Sequence, residues 1–250
     1  MAIFKGNVEI IKALLSDKKI DVNIPYKIIN KQNYLAQQQE SVLERTPLNL
    51  AMENIEIFKL LLANKNVDVN RLSKKYIDGF QNSQSFMNGI TYYTHNYEDY
   101  SLLCLALNSK HFDITKLLLE NEKLDINMRI KTSTCKNPKV KNTKHTRGPT
   151  DEVDTWIEKE NTLLCWAIEK NDIQTVQLLL SNNKIDVNIP CIKSERLRGK
   201  EKDFEIKETP LIVAIKDKNI DMIKLLLGNE NIDVNFQYEH IKYNPHHELI

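Results

Sequence analysis

Short apolar bursts alternate with polar runs along the chain, and the bursts return in nearly the same form. Residues 60–70 read LLLANKNVDVN; the string comes back as ALLSDKKIDVN at 13–23, LLLENEKLDIN at 117–127, LLLSNNKIDVN at 178–188 and LLLGNENIDVN at 225–235. Extended towards the N-terminus it becomes a unit with two apolar arcs, TPLNLAMENIEIFKLLLANKNVDVN at 46–70. Counterparts occupy 101–127, 162–188 and 209–235, and a truncated copy at 2–23 lacks the leading TPL. Recurrence of this kind predicts a stacked architecture, because one such unit cannot bury its own apolar face.

Each unit predicts two short helices. Thr46 and Thr209 suit an N-cap, where a hydroxyl accepts from an unpaired first-turn N–H. Pro47 and Pro210 follow at the first helical position, where no N–H is needed. Leu48, Ala51 and Met52 then mark one helical face, and Leu103, Ala106 and Leu107, Leu164, Ala167 and Ile168, and Leu211, Ala214 and Ile215 repeat it. The recurring Ala predicts a closely crossing neighbour. The second arc, Ile57 with Leu60, Leu61 and Leu62, is too wide for a helix with one partner and predicts contacts with its own mate and the next unit. On that reading Leu178 is a core residue, and Leu178→Ala costs about 2–5 kcal/mol. The Asn closing each unit suits the left-handed bend that often follows a helix.

This pattern of TPLxxA, polar turn, LLL and DVN resembles the ankyrin repeat. The resemblance implies an all-α fold: a helical-repeat solenoid of about five stacked helix pairs with long finger loops, forming a single domain over 1–250. Two departures matter. The closing Asn residues fall at 23, 70, 127, 188 and 235, spacings of 47, 57, 61 and 47, against a family period of about 33. The second unit is also two residues shorter between its helices. The surplus length lies in inserts 24–45, 71–100, 128–161 and 189–208, where the family has a hairpin finger. Insertions in stacked repeats collect on one face, often the binding face.

The inserts differ in character. Segment 71–100 holds seven of the chain's eighteen aromatics. They either pack back on the repeats or anchor a partner, since aromatics dominate interface hot spots; Tyr76, Phe80, Phe86, Tyr92, Tyr93 and Tyr97 are the partner-binding candidates. Segment 128–150 has seven Lys or Arg and no acid, followed by five acids in DEVDTWIEKE. It reads as a solvated loop whose charge the acidic run neutralises, with Lys139→Ala neutral to within roughly 0.5 kcal/mol. The alternative is a phosphate-attracting arm built on Arg129, Lys131, Lys136, Lys139, Lys141, Lys144 and Arg147. Segment 24–45 is Gln-rich and suits a short extra helix; 189–208 reads as surface loop.

Bulk composition removes several function classes. Lys plus Arg (35) balances Asp plus Glu (34), so no global field draws nucleic acid or membrane. No apolar run approaches a membrane span of roughly 20 residues. Four cysteines without a CxxC pair point to a reducing compartment, hence a cytoplasmic protein with the nucleus left open. Cys104 and Cys165 share a helix register and read as packing residues, while Cys135 and Cys191 lack metal-ligand spacing. No phosphate-cradling glycine motif is present, and the His-His-Glu of NPHHELI is not HExxH. Neither catalytic residues, a metal nor a cofactor is expected.

The resemblance therefore implies a non-catalytic protein–protein interaction scaffold, binding another protein through its concave first-helix face and its fingers, with no small-molecule substrate. Two alternatives stand beside it. One is a fragment or regulatory region of a larger multi-repeat protein, since the chain enters mid-repeat at Ala2 and leaves inside another finger at Phe236. The other is a nucleic-acid module using the basic insert at 129–147.

Overall fold

The computed structural model describes residues 2–34, 37–83, 90–136, 139–141, 155–197, 202–236 and 238–243. Within the repeat units lie α1 (Val8–Ser16), α2 (Pro47–Leu50, continued by a 3-10 turn at Ala51–Glu53), α3 (Ile55–Leu62), α4 (Leu102–Asn108), α5 (Phe112–Leu119), α6 (Leu163–Glu169), α7 (Ile173–Leu180), α8 (Pro210–Lys216) and α9 (Ile220–Leu227). Each first helix starts on a hydroxyl cap. Thr46 accepts from the Asn49 N–H at 3.2 Å, Ser101 from Cys104 at 3.1 Å, Thr162 from Cys165 at 3.3 Å and Thr209 from Ile212 at 3.4 Å. Between paired helices the chain turns through a left-handed residue: Lys110, Asn171 and Lys218, with φ of 55–57°. Gly6, with φ 61°, holds the same place before α1. The shorter second unit dispenses with that residue, using the 3-10 turn and Asn54, whose Oδ1 accepts from the N–H of both Glu56 and Ile57.

The left-handed bend thus falls between helices and not at the closing Asn, which has another task. Asn70 Nδ2 donates to the Lys123 carbonyl at 2.8 Å, while its Oδ1 accepts from the Asp125 N–H at 2.8 Å. Asn23, Asn127 and Asn188 make the same two bonds to residues 66 and 68, 184 and 186, and 231 and 233. Each Asp of the motif caps its own turn, accepting from the following Asn N–H. The repeated triplet therefore encodes a hydrogen-bonded bridge from every unit to the next.

Apolar packing runs beside that bridge. The middle leucine of each triplet, Leu61, Leu118, Leu179 or Leu226, is buried, as are the small residues Ala51, Ala106, Ala167 and Ala214. The triplet is not uniformly interior, however. Leu178 is 37% exposed, so the expectation that it sits in the core is corrected in favour of its neighbour Leu179. Burial of the outward side comes from the following unit: Val187 is 1% exposed and Ile168 3%, whereas their equivalents Val234 and Ile215 are 59% and 53%.

The all-α expectation fails on the inserts, which are strands. They form β1 (Tyr26–Tyr34), β2 (Gln37–Arg45), β3 (Ser73–Ser83), β4 (Ile90–Tyr100), β5 (Arg129–Lys136), β6 (Lys139–Lys141), β7 (Thr155–Thr162), β8 (Cys191–Leu197) and β9 (Lys202–Glu208), and a further strand, β10 (Glu239–Lys242), follows the fifth unit. All belong to one antiparallel sheet in the order β1-β2-β3-β4-β5-β7-β8-β9-β10, with β6 paired to β4. Segment 24–45 is thus a hairpin and not a helix, and 189–208 is a hairpin and not a loop. The chain combines helix pairs with an antiparallel sheet.

Geometry explains why separate fingers merge. Two strands at about 4.8 Å spacing occupy about 10 Å, close to the 8–10 Å between packed helices. Hairpins from consecutive units therefore arrive side by side at hydrogen-bonding distance. The pairings β2 with β3, β4 with β5, β7 with β8 and β9 with β10 are those inter-unit seams. Opposed charges mark the register: Lys27 faces Glu44 (3.0 Å), Lys31 Glu40 (3.0 Å), Lys75 Glu98 (3.7 Å), Lys131 Glu160 (2.7 Å) and Lys207 Glu239 (3.0 Å). Each of these is a directly opposite cross-strand pair.

Candidate functional site

Each finger rejoins its unit at the N-cap of a first helix, so strand bases and first helices lie together. In the fourth and fifth units they surround a cavity of about 470 Å³, lined from β7, β8, β9, α6 and α8. Its lining mixes apolar residues (Cys191, Ile192, Ile206, Val213) with four lysines, Lys159, Lys170, Lys193 and Lys216, and three acids, Glu169, Glu208 and Asp217.

Two ion pairs tie finger base to helix end across this cavity. Lys159 reaches both carboxylate oxygens of Glu169, at 2.9 and 3.0 Å. One unit later Lys216 pairs with Glu208. The hydrogen bond to Glu208 holds the Lys216 ammonium above the usual lysine range against the opposing effect of burial. Lys216 also sits 4.7 Å from the centre of the Tyr238 ring, a cation–π contact. Asn161 lines the same space and is 6% exposed. Its carboxamide adds two donors and an acceptor to the lining chemistry. Paired charges of both signs and a buried amide are equipment for binding. Among the described residues no cluster of three or more His, Cys, Asp or Glu is placed to hold a metal.

The aromatic candidates lie on the second finger, away from that cavity. Tyr76 and Tyr97 are directly opposite on β3 and β4, ring centroids 4.9 Å apart and tilted 52°. The Tyr97 hydroxyl donates to the buried Asp99 carboxylate. Burial, reinforced by that bond, raises the Tyr97 phenol well above its ordinary pKa. The structure thus engages these two rings within the finger. Phe80 and Tyr93 are opposed further out on the same strands, with Tyr92 beside them opposite Gln81. Phe86 lies outside the described residues.

Of the basic insert, Arg129–Lys136 is a strand paired antiparallel with Thr155–Thr162, which carries Glu158 and Glu160 of the acidic run. Lys131 pairs with Glu160, and the Arg129 guanidinium donates to the Pro190 carbonyl at 2.8 Å and the Glu160 carbonyl at 3.3 Å. Lys136, Lys139 and Lys141 lie in β5 and β6, so Lys139 is a strand and not a loop residue. Lys144 and Arg147 fall outside the described residues, as do His145 and the NPHHELI ending.

The cysteines depart furthest from expectation. Cys165 of α6 and Cys191 of β8 form a disulfide, with Cα atoms 6.0 Å apart. Cys104 is buried in α4, and burial pushes its thiol up to about 12. Sequence reasoning also missed Asn161 and the two ion pairs. One signal was available: Asn161 and Glu208 hold the same register, immediately before the caps Thr162 and Thr209.

The family model described as ankyrin repeats (3 copies) matches residues 84–238. No curated protein and no solved structure matches the chain.

Proposed function

The chain belongs to the ankyrin-repeat family, and on that premise we propose that it is a non-catalytic scaffold that holds a protein partner where its first helices meet its finger sheet. Ankyrin repeats are protein-interaction modules, generally without catalysis, so the class of partner is protein. The observation that carries the finer reading is the cavity between α6, α8 and β7–β9. It offers charge of both signs and the amide of Asn161, a combination that suits the main chain and charged side chains of a bound protein segment. We read residues 1–250 as one such binding unit, acting in the cytoplasm. Tyr76, Phe80, Phe86, Tyr92, Tyr93 and Tyr97 of segment 71–100 supply further contacts with the same partner. No helix among the described residues is long and apolar enough to cross a membrane.

Affinity capture with the full chain as bait tests this. An Asn161→Leu, Lys170→Glu double variant should keep the parent's melting temperature yet lose its captured proteins at least tenfold. Retention of every partner by the folded double variant would move the binding site off this cavity. A parallel Phe80→Ser, Tyr93→Ser bait reports separately on the finger.

A further inference from the structure

The joint between a first helix and its finger is built from the same two positions in successive units, three residues after the N-cap and three after the closing Asn. In the second unit these are Asn49 and Ser73, where the amide donates to the hydroxyl. In the third they are Cys104 and Ile130, both buried. In the fourth they are Cys165 and Cys191, covalently bonded. One joint is thus closed by three chemistries, and only the last can be opened by electron transfer. The Cα separation of 6.0 Å lies within the ordinary range for a bridge. The two cysteines differ in what they border. Both residues are buried, Cys165 at 0% and Cys191 at 6% exposed, but of the two only Cys191 lines the cavity, with Lys159, Lys170, Lys193 and Lys216, of which Lys159, Lys193 and Lys216 are paired with glutamates. Neighbouring ammonium groups favour a thiolate and attract an anionic reagent.

We propose that Cys165 and Cys191 are a reversible dithiol–disulfide pair, oxidised through this cavity by a small anionic disulfide of the glutathione class, and that the bond fastens the fourth finger to α6. The Cys191 thiolate attacks one sulfur of the small disulfide, whose S–S bond breaks and releases one thiol carrying the proton that Cys191 lost. The Cys165 thiolate then attacks the Cys191 sulfur of the mixed disulfide and expels the second small thiol, again with one proton. Two protein thiols are oxidised by two electrons, and one small disulfide is reduced to two thiols. Excess small thiol runs the sequence backwards. Such a pair reconciles a disulfide with a chain whose four cysteines otherwise suit a reducing compartment. The inference stands independently of the partner-binding reading.

The test equilibrates the native full chain in graded mixtures of oxidised and reduced glutathione, quenches with acid, and labels free thiols with a maleimide in denaturant. The labelled count should fall from four to two in one cooperative step, with Cys165 and Cys191 disappearing together and reappearing in reduced glutathione. In a Cys165→Ser variant Cys191 should stop at the glutathione adduct, while in Cys191→Ser the adduct at Cys165 should form at least tenfold more slowly. Amide hydrogen exchange in Cys191–Leu197 should quicken on reduction, with Tyr26–Arg45 unchanged. Four thiols at every ratio, a bond that excess reduced glutathione cannot open in the folded chain, equal adduct formation at both cysteines, or unaltered exchange in β8 each overturns the proposal. The wild-type titration needs no variant, so misfolding of either serine mutant leaves it decisive.

Discussion

The helix layer and the finger sheet are held together by different physics, and their sequences show it. Between helix pairs the contacts are apolar and alike from unit to unit: Leu61, Leu118, Leu179 and Leu226 occupy one position and are all buried. Identical packing demands similar side chains, so the motif recurs. Between fingers the bonds are main-chain N–H to carbonyl, which any residue except proline can supply. Side chains there need only suit the residue opposite, as Lys131 suits Glu160 and Lys27 suits Glu44. One layer therefore repeats and the other is free to diverge in length and composition, although both stack in the same order.

The largest effects should come from breaking the layer that repeats. Leu179→Ala removes a fully buried side chain and should cost about 2–5 kcal/mol. Leu178→Ala, one residue away and partly in water, should cost about 1 kcal/mol or less. Urea melts of the two variants place the core face; the reverse order would rotate α7 by a residue. Next comes the bridge between units. Asn127→Ala deletes the bond from Nδ2 to the Lys184 carbonyl and the bond from the Asp186 N–H to Oδ1, both 2.8 Å. Two exposed neutral bonds are worth about 1–2 kcal/mol together. If the Asn served only to shape its own turn, Asn127→Gly would be neutral. With the bridge, Ala and Gly should be equally damaging.

These particulars show what was legible in the chain. Thr46, Pro47 and the Leu-Ala-Met face announced the first helices because capping and 3.6-residue periodicity are local. The Asn bridge was not legible in its role, because its partners lie 43–59 residues away. Nor were the strands. β7 reads TWIEKENT, and six of its eight residues are half-buried, so no strict alternation of apolar and polar positions marks a core face. Its conformation is set by hydrogen bonds to β5 and β8, which exist only once the units stack. The cavity was hidden for the same reason: Lys159 meets Glu169 across ten residues and Lys216 meets Glu208 across eight, pairings fixed by where the finger re-enters the helix.

The smallest and most selective change addresses the sheet. Lys131 and Glu160 are directly opposite on β5 and β7, their ammonium and carboxylate 2.7 Å apart, with side chains 59% and 34% exposed. Lys131→Glu places two carboxylates face to face. Solvent screens such a pair, so the loss should be about 0.5–1 kcal/mol at low ionic strength. It should shrink in 1 M salt, where the Debye length falls to about 3 Å. The charge-reversed double variant, Lys131→Glu with Glu160→Lys, restores attraction at the same site and should recover most of the loss. Thermal melts of wild type, both single variants and the double at two salt concentrations separate the pair's coupling from each residue's own contribution. A loss insensitive to salt, or absent rescue in the double, would mean that these charges do not sense one another and that the register of the third finger is set by its backbone alone.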